Sequence, residues 1–149
     1  MTHPQPPPGG TVTGIVEAAL HVGEVSRSMD FYQGLFGFEA ELRNEAIGVL
    51  KVPGGQALIL FPRTSNPQPV VAPALAVEGT IPPHGASGRM HVAFSIRPDD
   101  LDPWRRRLSE RGVPVEGTVR WKRGGTSLYF RDPDQHLVEL ITPGLWSFY

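Results

Sequence analysis

Apolar and polar residues alternate from Ile15 to Gly23, with Val16, Ala18, Leu20 and Val22 on one side and Glu17, Ala19 and His21 on the other. That period of two predicts a strand with one buried face. The same alternation returns further along, where Met90, Val92, Phe94 and Ile96 share a face opposite Arg89, His91, Ala93 and Ser95. Behind each strand the period lengthens to that of a helix. In the first, Val25, Met29, Tyr32 and Phe36 form the stripe, Ser26 or Ser28 is placed to cap the start, and Gly37 stops it. In the second, Leu101, Trp104 and Leu108 form the stripe, Asp99 or Asp100 caps, Pro103 fits the first turn, and Gly112 ends it. Shorter strands are predicted over Phe38–Leu42, Ile47–Val52 and Ala57–Phe61, then over Val113–Val119, Thr126–Arg131 and Leu137–Thr142. Pro53-Gly54-Gly55 and Asp132-Pro133-Asp134 mark turns between them.

The order strand, helix, three strands thus occurs twice, over about 13–61 and 89–143. An α+β domain of two equivalent βαβββ modules follows, because neither half-sheet closes a core alone. The Pro-rich segment between them is too long for an ordinary connection and reads as a linker or functional loop. Residues 1–12 read as a flexible tail, and 13–149 as one domain.

Composition narrows the partners. The 149 residues carry a formal charge of -1, with 40% hydrophobic and 19% charged residues, which fits a globular chain and gives no electrostatic footprint for nucleic acid or an anionic membrane. A small-molecule partner fits better. There is no cysteine, so any metal must take nitrogen and oxygen ligands. No apolar run of membrane-spanning length or signal-peptide pattern is present, and a cytoplasmic location is expected.

Histidines stand at equivalent places in the two modules, His21 and His91, each on the polar side of its first strand. Glu139 lies on the last strand with Leu137 and Ile141 on its face. Any one of these is ordinary, since a strand histidine is usually a satisfied side chain. At repeat-related positions they make a two-histidine, one-carboxylate set that leaves coordination positions open, suited to Fe2+ or Mn2+, with Zn2+ or Ni2+ as further options. Tyr129 and Ser127 fall beside Glu139 across a tight hairpin, and Tyr129 is the candidate for orienting substrate or donating a proton. Glu17, His84 and His136 are weaker candidates: Glu17 is expected to be exposed, His84 to lie in the loop entering module two where it could cover the cleft, and His136 to face away from Glu139. Arg120, Lys122 and Arg123 read as a solvated hairpin tip; Trp121 and Trp146 could line the cleft or a subunit contact, and core or interface is favoured for both.

Three stretches taken in order resemble the glyoxalase/bleomycin resistance/dioxygenase family, the vicinal oxygen chelate superfamily. HVGEVSRSMDFYQGLFGFE is similar to its opening, PPHGASGRMHVAFSI to the entry of its second module, and LYFRDPDQHLVELITP to its closing motif. The resemblance covers nearly all of the chain after Thr13. It implies paired βαβββ modules around a U-shaped cleft, with a metal held by His21, His91 and Glu139 that chelates vicinal oxygens of the substrate. A fourth family position, a carboxylate in glyoxalase I, aligns with Leu60. Gln135 stands where the family has glycine, which puts a side chain where positive φ is expected. Ser127 and Tyr129 match substrate-contacting positions of fosfomycin-modifying thiol transferases, whereas Gly23 replaces their threonine and their late arginine is missing.

The first expectation for activity is an extradiol ring-cleaving dioxygenase, with Val49, Leu58 and Leu60 as an apolar wall if they face the cleft. The alternatives are a lactoylglutathione lyase-like enzyme, a fosfomycin-type thiol transferase, or a metal-free drug-binding protein. A homodimer is expected, with ligands converging within one chain or across two.

Overall fold

The computed structural model describes residues 12–71 and 76–149. The tail expected over 1–12 therefore lies outside the described residues except for Val12, as do linker residues 72–75. Two four-stranded sheets of identical topology carry the repeat. The first has the order β1-β4-β3-β2, from β1 (Glu17–Val22), β2 (Glu39–Arg43), β3 (Gly48–Val52) and β4 (Gln56–Pro62). In the linker a short pair, β5 (Val70–Val71) and β6 (Thr80–Ile81), was not anticipated. The second sheet has the order β7-β10-β9-β8, from β7 (His91–Ser95), β8 (Gly117–Arg120), β9 (Thr126–Arg131) and β10 (Leu137–Ile141).

In each module the first and last strands pair in parallel. A parallel pair needs a crossover, and α1 (Val25–Phe36) and α2 (Leu101–Glu110) begin those crossovers. The buried side of α1 is Val25, Met29, Tyr32 and Leu35, set against Leu20, Leu50, Leu58 and Leu60 in one core that continues into Leu128, Phe130, Val138 and Leu140 of the second sheet. Phe36 is only partly buried, yet its ring meets Phe38, Phe94 and Trp104 and so joins the modules.

Several local expectations are corrected. Neither Ser26 nor Ser28 caps α1: the N-cap is Glu24, without a side-chain hydrogen bond. Asp134 of the second module instead ties down the segment that leads into the helix: its carboxylate accepts from the Gly23 amide, just before the N-cap, at 2.8 Å and from the Ser28 hydroxyl at 3.1 Å, and meets Arg27. A carboxylate at this end also suits the helix dipole. Asp100 is the N-cap of α2, but its carboxylate is taken by Arg97. Strand β8 begins at Gly117 rather than Val113, consistent with Pro114 having no amide to donate to a ladder. Gln135 does adopt φ 67, as its place in the turn suggested. Among the described residues no helix is long and apolar enough to cross a membrane.

Candidate functional site

On the second sheet, pairing places Glu139 between Ala93 of β7 and Tyr129 of β9. This face is open, with His91, Ala93 and Ser95 exposed. The Glu139 side chain is nevertheless only 7% exposed, because its neighbours close over it. Ser127 donates to Oε1 at 2.5 Å and Tyr129 donates to the same oxygen at 3.1 Å. Oε2 faces Nε2 of His91 at 3.1 Å.

The other nitrogen of His91 settles how that ring is oriented. Nδ1 lies 2.9 Å from the Leu137 carbonyl, which can only accept, so Nδ1 carries a proton. Unless the ring is doubly protonated, Nε2 turns a lone pair toward a carboxylate oxygen. Two acceptors at this separation repel unless a cation lies between them. Burial first, and the Glu139 charge after it, raise the Tyr129 hydroxyl above its ordinary value, so at neutral pH Tyr129 is a donor.

His21 lies on the site-facing side of β1, paired with Phe61 of β4. It is buried, and neither ring nitrogen has a hydrogen-bond partner among the described residues. An orphaned buried polar group costs about 1–3 kcal/mol. Its ring stacks on Phe61 and meets His84 edge-on at 5.4 Å between centroids. Burial, then the neighbouring His84, Arg63 and His136, lower its pKa, which keeps the imidazole in the neutral form that a metal requires.

His91 and Glu139 are thus brought together, and His21 is not: among the described residues no three histidine, aspartate or glutamate side chains converge within one chain. Leu58 and Leu60 are also not part of a cleft wall. They pair with Ala18 and Leu20 and are buried in the core, while Val49, Ile59 and Phe61 share the side of His21. No carboxylate therefore stands on the site-facing side of β4, and Leu60 is not the spatial equivalent of a ligand position. Glu17 is exposed, as expected, and so are Arg120, Lys122 and Arg123.

Two residues belong to the site more closely than their sequence context suggested. Trp121 donates from Nε1 to Ser127 Oγ at 2.8 Å, completing a chain to Glu139. Cleft lining was the lesser of the two places expected for it, because its charged hairpin setting gave no sign of the bond to Ser127. His84 covers His21 from the linker, in keeping with its expected place over the cleft, though its lone position among prolines did not point to His21.

The family profile of the Glyoxalase/Bleomycin resistance protein/Dioxygenase superfamily matches residues 14–140. Metallothiol transferase FosB of Bacillus licheniformis is 45% identical over 58 residues, which span 38% of this chain and 38% of that relative. FosB of Staphylococcus haemolyticus (strain JCSC1435) is 27% identical over 135 residues, 90% of this chain and 86% of the relative. Among solved structures, lactoylglutathione lyase from Agrobacterium tumefaciens matches with TM-score 0.79 at 31% identity, covering 93% of this chain and 100% of that one. With the repeated βαβββ architecture and a profile match over most of its length, the chain belongs to the Glyoxalase/Bleomycin resistance protein/Dioxygenase superfamily.

Proposed function

We propose that this protein is a divalent-metal-dependent transferase that adds a thiol to a small oxygen-bearing electrophile, with His21, His91 and Glu139 as metal ligands. The observation that carries the metal site is the approach of His91 Nε2 to Glu139 Oε2 at 3.1 Å. Donors about 3 Å apart suit neighbouring positions around an ion bound at about 2.1 Å. The orphaned nitrogens of His21 supply the third donor. A divalent ion in this nitrogen and oxygen set supplies Lewis acidity toward substrate oxygens.

The protein's own residues do the rest. Ser127 and Tyr129 occupy Oε1 of Glu139, which leaves Oε2 for coordination. The Tyr129 hydroxyl, protonated and partly exposed beside the carboxylate, is placed to orient a substrate oxygen or give it a proton. Because His21 does not reach His91 and Glu139 within one chain, a second copy completes the site as a homodimer. Exposed Ile15 and Val16, leading into the strand of His21, give that copy an apolar surface to cover.

Thiol transfer is preferred over the other reactions for two reasons. FosB relatives carry it in their name, and Ser127 and Tyr129, the positions that resemble substrate contacts of such enzymes, touch Glu139 here. The lyase reading loses support from β4, where Ala57, Ile59 and Phe61 offer no carboxylate. Ring cleavage has only the ligand set in its favour.

The test is protein loaded with Mn2+ and given the epoxide fosfomycin with glutathione or cysteine. The thiol sulfur bonds to an epoxide carbon as the carbon–oxygen bond breaks, and the thiol proton ends on the new hydroxyl. Mass spectrometry should show the adduct for the parent and not for Glu139→Ala, and light scattering should give a dimer. Oxygen uptake with catechols, or turnover of a glutathione hemithioacetal, without adduct would overturn the assignment. A monomer at micromolar concentration would overturn the shared site.

A further inference from the structure

His136 is fully buried, and the chemistry above does not use it. Its ring spans the gap between the two modules. Nδ1 accepts the Met90 amide at 2.8 Å, and Nε2 lies 2.8 Å from the His21 carbonyl. An amide can only donate and a carbonyl can only accept, so the imidazole carries its proton on Nε2 and donates it to His21. The backbone of His136 is itself fixed, its amide donating to Asp132 Oδ1 at 2.9 Å and its carbonyl accepting from the Asp132 amide at 3.1 Å. One rigid ring, anchored in a turn, therefore holds the backbone of one candidate ligand and the residue immediately before the other.

We propose that His136 is a positioning residue for the metal centre, setting the separation of β1 and β7 and with it the placement of His21 and His91. The inference rests on the metal reading given above. A histidine that served only as a core side chain needs both nitrogens satisfied, but on any elements. Here the two partners are the His21 carbonyl itself and the amide of Met90, the residue just before His91. Since His21 and His91 do not meet within one chain, each His136 touches the backbone of both centres in a pair of copies. Displacing the ring moves β1 relative to β7 and misplaces a donor at each.

The experiment compares Mn2+ binding, read from loss of the free-ion electron paramagnetic resonance signal, for the parent, His136→Gln, Tyr32→Phe and Glu139→Ala. Tyr32 donates to Asp132 Oδ2 at 2.9 Å, so its variant loosens the same junction without touching His21 or Met90. The expected result is a dissociation constant raised about 10–100-fold in His136→Gln with an altered bound-ion spectrum, the scale seen when groups behind metal ligands are changed. Tyr32→Phe should keep the parent affinity. An unchanged constant in His136→Gln, or equal losses in both variants that track their melting temperatures, overturns the positioning role while leaving the metal site standing. Binding that is equal in the parent and Glu139→Ala, or absent from both, removes the metal reading and this role with it. Should His136→Gln not fold, nitrogen-15 histidine spectra of the parent titrated with Zn2+ give the answer. His136 resonances should shift in step with site occupancy, and their failure to move overturns the role.

Discussion

Glu139→Gln should leave the metal-free protein at least as stable as the parent while abolishing its response to metal. A glutamine in the same rotamer keeps an acceptor toward Ser127 and Tyr129, the two donors on Oε1. Each of those hydrogen bonds falls from charge-assisted to neutral strength, a loss of about 1 kcal/mol apiece. On the other side the amide turns an N–H toward His91 Nε2, where the carboxylate offers only a second acceptor, for a gain of about 1 kcal/mol. It also removes a buried anion, whose full penalty is several kcal/mol. With His91 half exposed beside it, only part of that penalty applies, about 2 kcal/mol. The sum is a gain of about 1 kcal/mol, or roughly 2–4 °C for a chain of this size.

Metal reverses the ranking. At a hundredfold excess over the dissociation constant, binding stabilises the parent by about 2.7 kcal/mol, which is roughly 5–11 °C. The variant gains nothing. Calorimetric melts at pH 8, above the ordinary imidazole value of about 6.5, with chelator and then with Mn2+, read both effects. A chelated variant melting several degrees below the parent would show that the carboxylate belongs to the fold rather than to a ligand. An equal shift with Mn2+ in both proteins would remove Glu139 from the metal site.

Tyr32→Phe should cost about 1.5–3 kcal/mol at pH 7 by urea unfolding, because its hydroxyl bonds the buried Asp132 carboxylate. Burial first, then Asp132, raise the folded Tyr32 pKa well above its ordinary value, so this stabilisation is complete below the unfolded value of about 10 and is lost as pH rises through the folded one. The gap between parent and variant should therefore narrow above pH 10, and a constant gap would contradict the assignment. Gln135→Gly should raise stability by up to about 1 kcal/mol, since Gln135 sits exposed at φ 67 and glycine's own entropy cost offsets part of the relief. A lower melting temperature would mean that the glutamine side chain makes a contact worth more than the strain.

What could be read along the chain was whatever repeats at short period. The alternation around His21 and His91 gave the correct faces, on β7 because its His91 side is exposed and on β1 although His21 is itself buried, and the matching element order gave the two modules. The same logic failed at Leu58, Ile59, Leu60 and Phe61, where four consecutive apolar residues carry no phase. Their facing is decided by parallel pairing with β1, which aligns Leu60 with Leu20 and Phe61 with His21. The start of α1 was misread for a related reason: two serines near it carry the local capping signal, whereas the carboxylate that holds this segment belongs to an aspartate 111 residues away from the Gly23 amide. Asp132 and Asp134 looked like parts of a turn and His136 like a side chain facing away from Glu139, and in the fold they fasten that turn to α1 and to the carbonyl of His21. The residues that couple the modules are thus those whose local signal was already explained by something else. In a duplicated architecture local pattern specifies each half, whereas the join between halves rests on long-range hydrogen bonds that have no period to reveal them. That is also why His21 and His91 could be proposed as a pair from their equivalent positions in the repeat, while which candidate residues meet within one chain had to come from the packing of the two halves.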